Sequence, residues 1–206
     1  MKTLNLKLAT LPTFLALALT ISANSNLHGR PISIAQATSL SGYVEIMSPD
    51  GILFPIRQPM QLGSHSGMKT RLNSHVDIKF SKYIAARLGP ESLLTYLNGI
   101  QDMQLHSGVV LLKVSAKSKA AILSVRSITA TVKGATIMAS CMDRQFQIIV
   151  LQGSILMSTN EATPRVCQLD EGQMLYFDDR SPGLPEPTPV NLELLMRTSG
   201  LARDFL

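Results

Sequence analysis

The sequence contains no tryptophan and few aromatic residues of any kind. Among its 206 residues there are four tyrosines and six phenylalanines, so aromatic side chains make up only 5%. Charged residues account for 16% and hydrophobic residues for 45%, which excludes a disordered polymer. The composition also excludes a collagen-like repeat and a multi-pass membrane protein. It predicts one exported domain with a core built mainly from Val, Ile, Leu and Met.

Arrangements that bind metals or catalyse reactions are also missing. The histidines are scattered, without His-x-x-x-His or Cys-x-x-Cys spacing: His28, His65, His75 and His106. Gly63-Ser64-His65-Ser66-Gly67 has His where a nucleophile elbow requires Ser, so it predicts a turn. Asp77 and Glu91 could form a glycosidase pair, but we interpret them as surface charges. We therefore expect no enzyme activity, no metal, no cofactor and no nucleic-acid partner.

The N-terminus has the pattern of a secretory signal over residues 1–25. Two lysines precede an apolar run at residues 8–23, and Ala23-Asn24-Ser25 is a small-x-small cleavage site. A mature chain starting near Asn26 would be periplasmic or secreted. The site at Ala35-Gln36-Ala37 is less favoured because it lies far beyond the apolar run. The alternative is an uncleaved membrane anchor, although the run is shorter than the roughly 20 residues of a spanning helix.

Charge is distributed unevenly along the predicted mature chain. Residues 26–160 contain 13 Lys or Arg against 6 Asp or Glu, whereas residues 161–206 contain 4 against 8. The C-terminal part could therefore lie against a basic body. No acid occurs between Asp102 and Asp143, a stretch with five cations: Lys113, Lys117, Lys119, Arg126 and Lys133. We interpret this stretch as a solvated face, with an anionic partner surface as the alternative.

The two cysteines are Cys141 and Cys167, 26 residues apart. In an oxidising compartment they could form a disulfide worth about 2–4 kcal/mol. The alternative is that both are small buried hydrophobic residues. The sequence leaves both open.

Short strand-like segments separated by Gly, Asn and Asp turns begin at Gly42. In the segment His75–Phe80 the alternation places Val76, Ile78 and Phe80 on a buried face. Further strands are predicted at 43–47, 52–54, 83–88, 93–97, 109–114, 121–125, 128–132, 136–142, 145–151, 154–158, 165–169 and 173–177. This pattern predicts an all-β domain, either a β-sandwich or a β-solenoid-like fold, over residues 41–180. Residues 26–40 would be an N-terminal extension.

The C-terminal region differs in composition from the strands. Four prolines within residues 181–190 predict an extended linker. Residues 191–206 predict a short helix and tail, with Asn191 as the N-cap and Gly200 as the stop signal. The apolar stripe of Leu192, Leu195 and Met196 is too narrow for independent folding, so we expect the helix to dock on the β domain or on a partner.

The order of the glycine turns between about Ser41 and Phe177 resembles the FecR domain family. The most specific match is Leu88-Gly89-Pro90-Glu91-Ser92, which is similar to the Leu-Gly-Pro-x-Ser signature of that family. Val132-Lys133-Gly134-Ala135 resembles its Val-Arg-Gly-Thr segment, with Lys for Arg and Ala for Thr. The signature positions, which we expect to have structural roles, are Gly63, Gly67, Thr70, Gly89, Ser92, Lys133, Gly134, Gly153 and Gly172.

The resemblance implies a FecR-like binding or sensing domain rather than an enzyme. In FecR regulators of iron transport, a cytoplasmic segment works with a sigma factor, a single helix crosses the membrane, and the periplasmic part receives a signal. Only seven residues precede the apolar run here, so we do not carry over the sigma-factor function. We expect an exported domain that binds an envelope protein or ligand. The alternatives are a polysaccharide-binding envelope protein, for which the aromatic residues are few, and a membrane-tethered sensor.

Overall fold

The computed structural model describes residues 35–63, 66–96, 102–178, 183–202 and 205. The predicted all-β fold with one short C-terminal helix is confirmed. The predicted signal sequence lies outside the described residues. No helix in the described ranges has the length and hydropathy needed to cross a membrane.

The described strands and helix follow one another closely along the chain. They are β1 (Ala35–Ser41), β2 (Val44–Met47), β3 (Leu53–Ile56), β4 (Met60–Leu62), β5 (Ser66–Thr70), β6 (His75–Ser81), β7 (Ile84–Leu88), β8 (Leu93–Tyr96), β9 (Met103–Val114), β10 (Ala121–Val125), β11 (Ile128–Val132), β12 (Ala135–Met142), β13 (Gln145–Gln152), β14 (Ser154–Thr159), β15 (Val166–Asp170), β16 (Gln173–Asp178), β17 (Thr188–Pro189) and α1 (Leu192–Thr198).

The strands form two sheets that share the long strand β9. Sheet A has the order β4-β1-β6-β7-β9-β12-β13-β16-β17. Sheet B has the order β3-β2-β5-β8-β9-β10-β11-β14-β15. The C-terminal half of β9 pairs in sheet A and its N-terminal half in sheet B. One apolar cluster contains buried residues of both sheets, so the two sheets form a sandwich.

The buried faces follow the alternation expected of half-buried strands. Val76, Ile78 and Phe80 of β6 are all buried in the shared core, which confirms the predicted face of this strand. The ring of Phe80 meets that of Tyr96 edge to face at 5.4 Å. The opposite face of β6 carries Asp77 and Lys79, which therefore lie on the outer surface of sheet A.

Helix α1 packs against the outer surface of sheet A, and this docking agrees with the apolar stripe in its sequence. Asn191 caps the helix by accepting a hydrogen bond from the Leu194 backbone N–H at 2.9 Å. The stripe of Leu192, Leu195 and Met196 joins a second apolar cluster with the buried sheet residues Leu111, Ile149 and Leu151. The helix therefore covers an apolar strip on the back of sheet A.

Three elements differ from the sequence-based expectations. β1 begins at Ala35, inside the predicted N-terminal extension, because Ala35 and Ala37 are buried in the core. β5 begins at Ser66, within the segment predicted to be a turn, and its Gly67 allows the Met47 and Thr95 side chains to approach the backbone. β17 lies in the predicted linker, where it pairs with β16.

Candidate binding site

A row of side chains crosses the outer face of sheet A beside the docked helix. The strand registers align six residues from six adjacent strands: Gln36, Lys79, Ala85, Lys113, Thr136 and Gln152. Directly paired residues of neighbouring strands project from the same face of a sheet. Lys79 and Lys113 are two strands apart, or about 10 Å, and only the small Ala85 lies between them. The row therefore forms a shallow depression between two ammonium groups.

This depression is part of a cavity of about 520 Å³. Three lysines line it, Lys79, Lys82 and Lys113, whereas Asp77 is its single acidic lining residue among the described parts of the chain. The size falls within the ~300–1,000 Å³ typical of small-molecule sites. The charged lining residues are therefore mostly cations within an otherwise neutral lining.

Arg87 neutralises the acid of the cavity. Its Nε and Nη2 atoms donate to the two carboxylate oxygens of Asp77 at 2.6 and 2.9 Å. Its Nη1 atom donates to the Leu201 backbone oxygen at 3.2 Å, and its guanidinium lies 5.3 Å from the centre of the Phe205 ring. Phe205 itself lines the cavity. Arg87 thus links the cavity wall to the C-terminal segment.

Two serines hold the turns that form one end of the cavity. Ser81 Oγ accepts a hydrogen bond from the Tyr83 N–H at 3.1 Å, and Ser115 Oγ accepts one from the Lys117 N–H at 3.3 Å. The Ser115 N–H donates to the Tyr83 carbonyl at 2.9 Å and joins the two turns. The Lys82 ammonium lies 4.8 Å from the centre of the Tyr83 ring. The aromatic face therefore holds this cation beside the cavity.

The segment similar to Val-Arg-Gly-Thr forms the turn between β11 and β12 at the cavity wall. Gly134 and Ala135 both line the cavity, and Lys133 is exposed next to them. Gly134 has a φ of +66°, and a Cβ at Gly153 would lie 2.6 Å from the Gly134 carbonyl oxygen. The two signature glycines thus allow their turns to pack closely at this wall.

The other well-matched signature, at Gly89 and Ser92, joins the two sheets away from the cavity. Thr70 Oγ1 donates to the Gly89 carbonyl and accepts from the Ser92 N–H at 2.9 Å. Ser92 Oγ in turn accepts from the Val109 N–H at 2.8 Å. A Cβ at Gly108 would overlap Ser92. Thr70, Gly89 and Ser92 therefore take part in the hydrogen bonds that connect the two sheets.

The remaining signature glycines lie next to strands or within one. Gly63 directly follows β4, and Gly67 is buried within β5. Gly172, with a φ of +76°, lies between β15 and β16, and its N–H donates to the Val150 carbonyl at 3.0 Å. None of the three lines the cavity.

Both cysteines considered for a disulfide, Cys141 and Cys167, have free thiols in this structure. Cys141 is buried in β12 of sheet A, where its Sγ donates to the His106 carbonyl at 3.5 Å. Cys167 is half-buried in β15, at the edge of sheet B. Burial raises the pKa of the Cys167 thiol above its ordinary value. The two strands belong to different sheets, and both cysteines contribute to the apolar cluster that the sheets share.

The residues considered for catalysis are not assembled into a site. Asp77 is held by Arg87, while Glu91 is an exposed turn residue with a φ of +52°. Ser64 and His65 lie outside the described residues. His106 bonds to Thr95 Oγ1 at 2.8 Å, and its partial burial lowers its pKa. Across the described ranges, no three His, Cys, Asp or Glu side chains are grouped as potential metal ligands.

The sequence identified only part of this site. Lys113 and Lys133 belong to the acid-free stretch, but nothing in the sequence links them to each other or to Lys79 of β6. Lys82 was not singled out. The pairing of β6, β7 and β9 brings Lys79 and Lys113 together, and one sequence without a fold gives no signal for that pairing.

Comparison with known proteins finds a family model that matches the central strands. The model of the FecR protein family matches residues 66–156. No curated protein matches the sequence. Two crystal structures of a candidate anti-sigma factor from Parabacteroides distasonis ATCC 8503, at 1.65 and 2.50 Å, are similar in fold. Their TM-scores are both 0.54, and their sequence identities are 12% and 11%.

Each similarity covers 63% of this chain and 62% of the solved chain, which is less than two thirds of that protein. At this identity the structural match shows a shared fold. The matched segment spans strands β5–β13 and the first half of β14, which include most of the cavity wall. The FecR resemblance of the sequence is therefore confirmed over residues 66–156, which the family model matches.

Proposed function

We propose that this chain is an exported FecR-type regulatory or sensing domain that binds an envelope protein or ligand and catalyses no reaction. The observation that carries the proposal is the position of the basic cavity. Lys79, Lys82, Lys113 and Gly134, which line it, all belong to the segment matched by the FecR family. A cavity with converging cations inside the family segment is a natural place for a signal molecule to bind.

Other features support binding as the activity. The fold is shared with a protein described as a candidate anti-sigma factor, which is a regulator. Export is supported by the basic start, apolar run and small-x-small site within residues 1–25. The proposal concerns the β domain and includes no contact with a sigma factor.

A polysaccharide-binding protein is the second candidate, and two exposed tyrosines favour it. Tyr43 is 50% exposed and Tyr176 is 46% exposed, whereas Tyr96 is buried. Sugar-binding surfaces use such rings as stacking platforms. Binding on a glycan array that is lost in Tyr176→Ala would support this candidate over the first. An array without binding would remove it.

The experiment for the first proposal follows the protein in its own cells. An antibody raised against the β domain would detect it in cytoplasmic, membrane and periplasmic or culture fractions, and mass spectrometry would give its N-terminus. We expect a water-soluble, exported chain starting near Asn26. An intact N-terminus in the membrane fraction would support a tethered sensor instead, and a cytoplasmic full-length chain would contradict export.

Partner binding needs a separate comparison with matched variants. Cross-linking in intact cells would compare the wild type with Lys79→Gln and with Arg144→Gln. Arg144 is an exposed cation in the turn at the far end of the β12–β13 hairpin from Gly134, so both variants lose one positive charge. We expect a cross-linked species that is weakened by Lys79→Gln alone. Equal loss in both variants would indicate nonspecific charge attraction.

A further inference from the structure

The strands at the edges of the two sheets differ in how well they are protected from further pairing. Within the described residues, four strands pair with a single neighbour each: β4 and β17 in sheet A, and β3 and β15 in sheet B. β4 has three residues, β17 has two including Pro189, and β3 contains Pro55. Short strands and prolines are common means of blocking a sheet edge. β15 has five residues and no proline, so it is the least protected of these edges.

The hydrogen bonds between β14 and β15 show which backbone groups point away from sheet B. The Thr159 N–H donates to the Arg165 carbonyl at 3.0 Å, so these two residues form a hydrogen-bonded pair. Such pairs alternate along an antiparallel ladder with pairs whose N–H and C=O groups point outward. The register of β14 and β15 then gives the outward-facing residues as Val166, Gln168 and Asp170. The Asp170 N–H donates to Gln173 Oε1 at 2.8 Å, which leaves its carbonyl for the edge.

The same alternation explains how the opposite edge of sheet B is closed. The Ser48 N–H donates to the Ile52 carbonyl at 2.9 Å, and the register of β2 and β3 therefore directs Leu53 and Pro55 outward. Proline has no N–H, so β3 lacks a donor at a position equivalent to Gln168 of β15. A proline that faces outward removes no hydrogen bond from the sheet itself. Such a residue is thus compatible with the fold while blocking the edge.

The strand β15 is complementary to itself when two copies run antiparallel. Full overlap places Gln168 on a two-fold axis, where each Gln168 N–H meets the Gln168 carbonyl of the other copy. Each Val166 N–H then meets an Asp170 carbonyl, which gives four backbone hydrogen bonds in all. On the inner face, Cys167 lies opposite Leu169 of the second copy. Both side chains belong to the apolar cluster of the sandwich, so the pairing extends that cluster across the edge.

Charge favours a second copy of this chain as the occupant of the edge. In the fully overlapped register, the exposed Arg165 at one end of the strand lies opposite the exposed Glu171 of the second copy. The two-fold axis repeats this pairing of opposite charges at the other end. The acid within the strand, Asp170, lies opposite Val166, so no like charges meet directly. The edge therefore matches its own sequence in charge as well as in hydrogen bonding.

We propose that two copies of this protein associate through antiparallel pairing of β15, which joins their B sheets into one continuous sheet. This assembly goes beyond the proposed function, because neither export nor the cavity on sheet A takes part in it. Four hydrogen bonds correspond to roughly 400–800 Å² of interface at the usual density. Stable interfaces bury at least ~1,200 Å². The dimer is therefore reversible, and its fraction rises with protein concentration.

The test combines sedimentation with hydrogen exchange on the purified protein. Analytical ultracentrifugation between about 10 μM and 1 mM covers the range of a weak dimer and gives its dissociation constant. Hydrogen exchange at the two ends of this range locates the interface. We expect the Val166 and Gln168 amides to exchange more slowly at high concentration, because they become hydrogen-bonded in the dimer. The outward-facing Leu53 amide on the opposite edge should exchange at the same rate at both concentrations.

Two variants at the axis separate the backbone from the side chain. Gln168→Pro removes two interface hydrogen bonds, whereas Gln168→Ala keeps them, and both lose the 2.7 Å bond from Gln168 Nε2 to Asp170 Oδ1. We expect Gln168→Pro to raise the dissociation constant about tenfold or more, and Gln168→Ala to raise it about threefold or less. Circular dichroism verifies folding. If Gln168→Pro does not fold, Gln168→Lys places two like charges on the axis and should weaken the dimer instead.

A charge exchange tests the register of the two strands. Arg165→Glu places two acids opposite each other at both ends of the pairing and should weaken the dimer. The double variant Arg165→Glu, Glu171→Arg restores opposite charges and should recover the affinity of the wild type. A purely structural role of Arg165 within one copy would not give this recovery.

Four results would overturn the inference. The first is a protein that stays monomeric up to about 1 mM. The second is a dimer that Gln168→Pro weakens no more than Gln168→Ala does. The third is a dimer in which the Val166 and Gln168 amides gain no protection, which would place the interface elsewhere. The fourth is equal weakening by Arg165→Glu and by the double variant, which would exclude the fully overlapped pairing of β15.

Discussion

Replacing Gly108 by Ala tests whether the signature turns hold the two sheets together. Gly108 has a φ of +80°, and a Cβ there would lie 2.5 Å from the Ser92 Cβ and closer still to Ser92 Oγ and Cα. Because Ser92 is buried and bonded to the Val109 N–H, it cannot move away freely. The overlap therefore disturbs the pairing of β8 with β9.

The expected loss of stability in Gly108→Ala has two parts. An L-residue at a left-handed φ costs roughly 1–2 kcal/mol. Forcing extra atoms into packed surroundings costs about 1–3 kcal/mol more. We therefore expect Gly108→Ala to lower the free energy of unfolding by about 2–5 kcal/mol, the sum of these ranges.

Gly51→Ala is the matched control because Gly51 has a φ of +82° with nothing within 4 Å of a Cβ. It shares the left-handed strain and the loss of chain entropy in the unfolded state, but not the overlap. Urea denaturation at equal m-values should place Gly108→Ala about 1–3 kcal/mol below Gly51→Ala. Equal stability of the two variants would refute the close approach of Gly108 and Ser92.

Three further predictions concern the C-terminal segment, the cavity wall and the cysteines. Deleting residues 191–206 should leave the β domain folded by circular dichroism but increase binding of a hydrophobic dye, because an apolar strip of sheet A is uncovered; global unfolding would show that the helix is essential. Arg87→Gln should lower the free energy of unfolding by about 1–3 kcal/mol in urea denaturation, because Asp77 loses its hydrogen-bond partner, and an unchanged stability would contradict this contact. Without denaturant, a thiol reagent should modify Cys167 slowly and Cys141 not at all; in denaturant it should titrate both, and finding neither would indicate a disulfide.

The strands were predictable where alternation or turn residues mark them. Strand β6 shows strict alternation, and the glycine at the β11–β12 turn marks a strand boundary. β1 was missed because its buried residues are alanines, which carry little hydrophobic signal. The prediction lacks the N-terminal half of β9 because Ser107-Gly108 contains turn residues and therefore places the start of the strand at Val109.

The candidate site was less predictable than the fold. Its lysines are separated by up to 34 positions along the chain, from Lys79 to Lys113, and come together only through strand pairing. The role of Arg87 depends on its contact with Leu201, across 114 positions. Local patterns identify which face a side chain takes, whereas long-range pairing decides which charges share a cavity.

Native mass spectrometry of the protein isolated from its own cell envelope tests the central claim most directly, since one spectrum reports the N-terminus and any bound species. We expect an exported chain beginning near Asn26 that retains a bound mass, and we expect Lys79→Gln, but not Arg144→Gln, to lose it. A full-length cytoplasmic chain would contradict the exported location. A bound mass retained equally by Lys79→Gln would contradict the assignment of the basic cavity as the binding site.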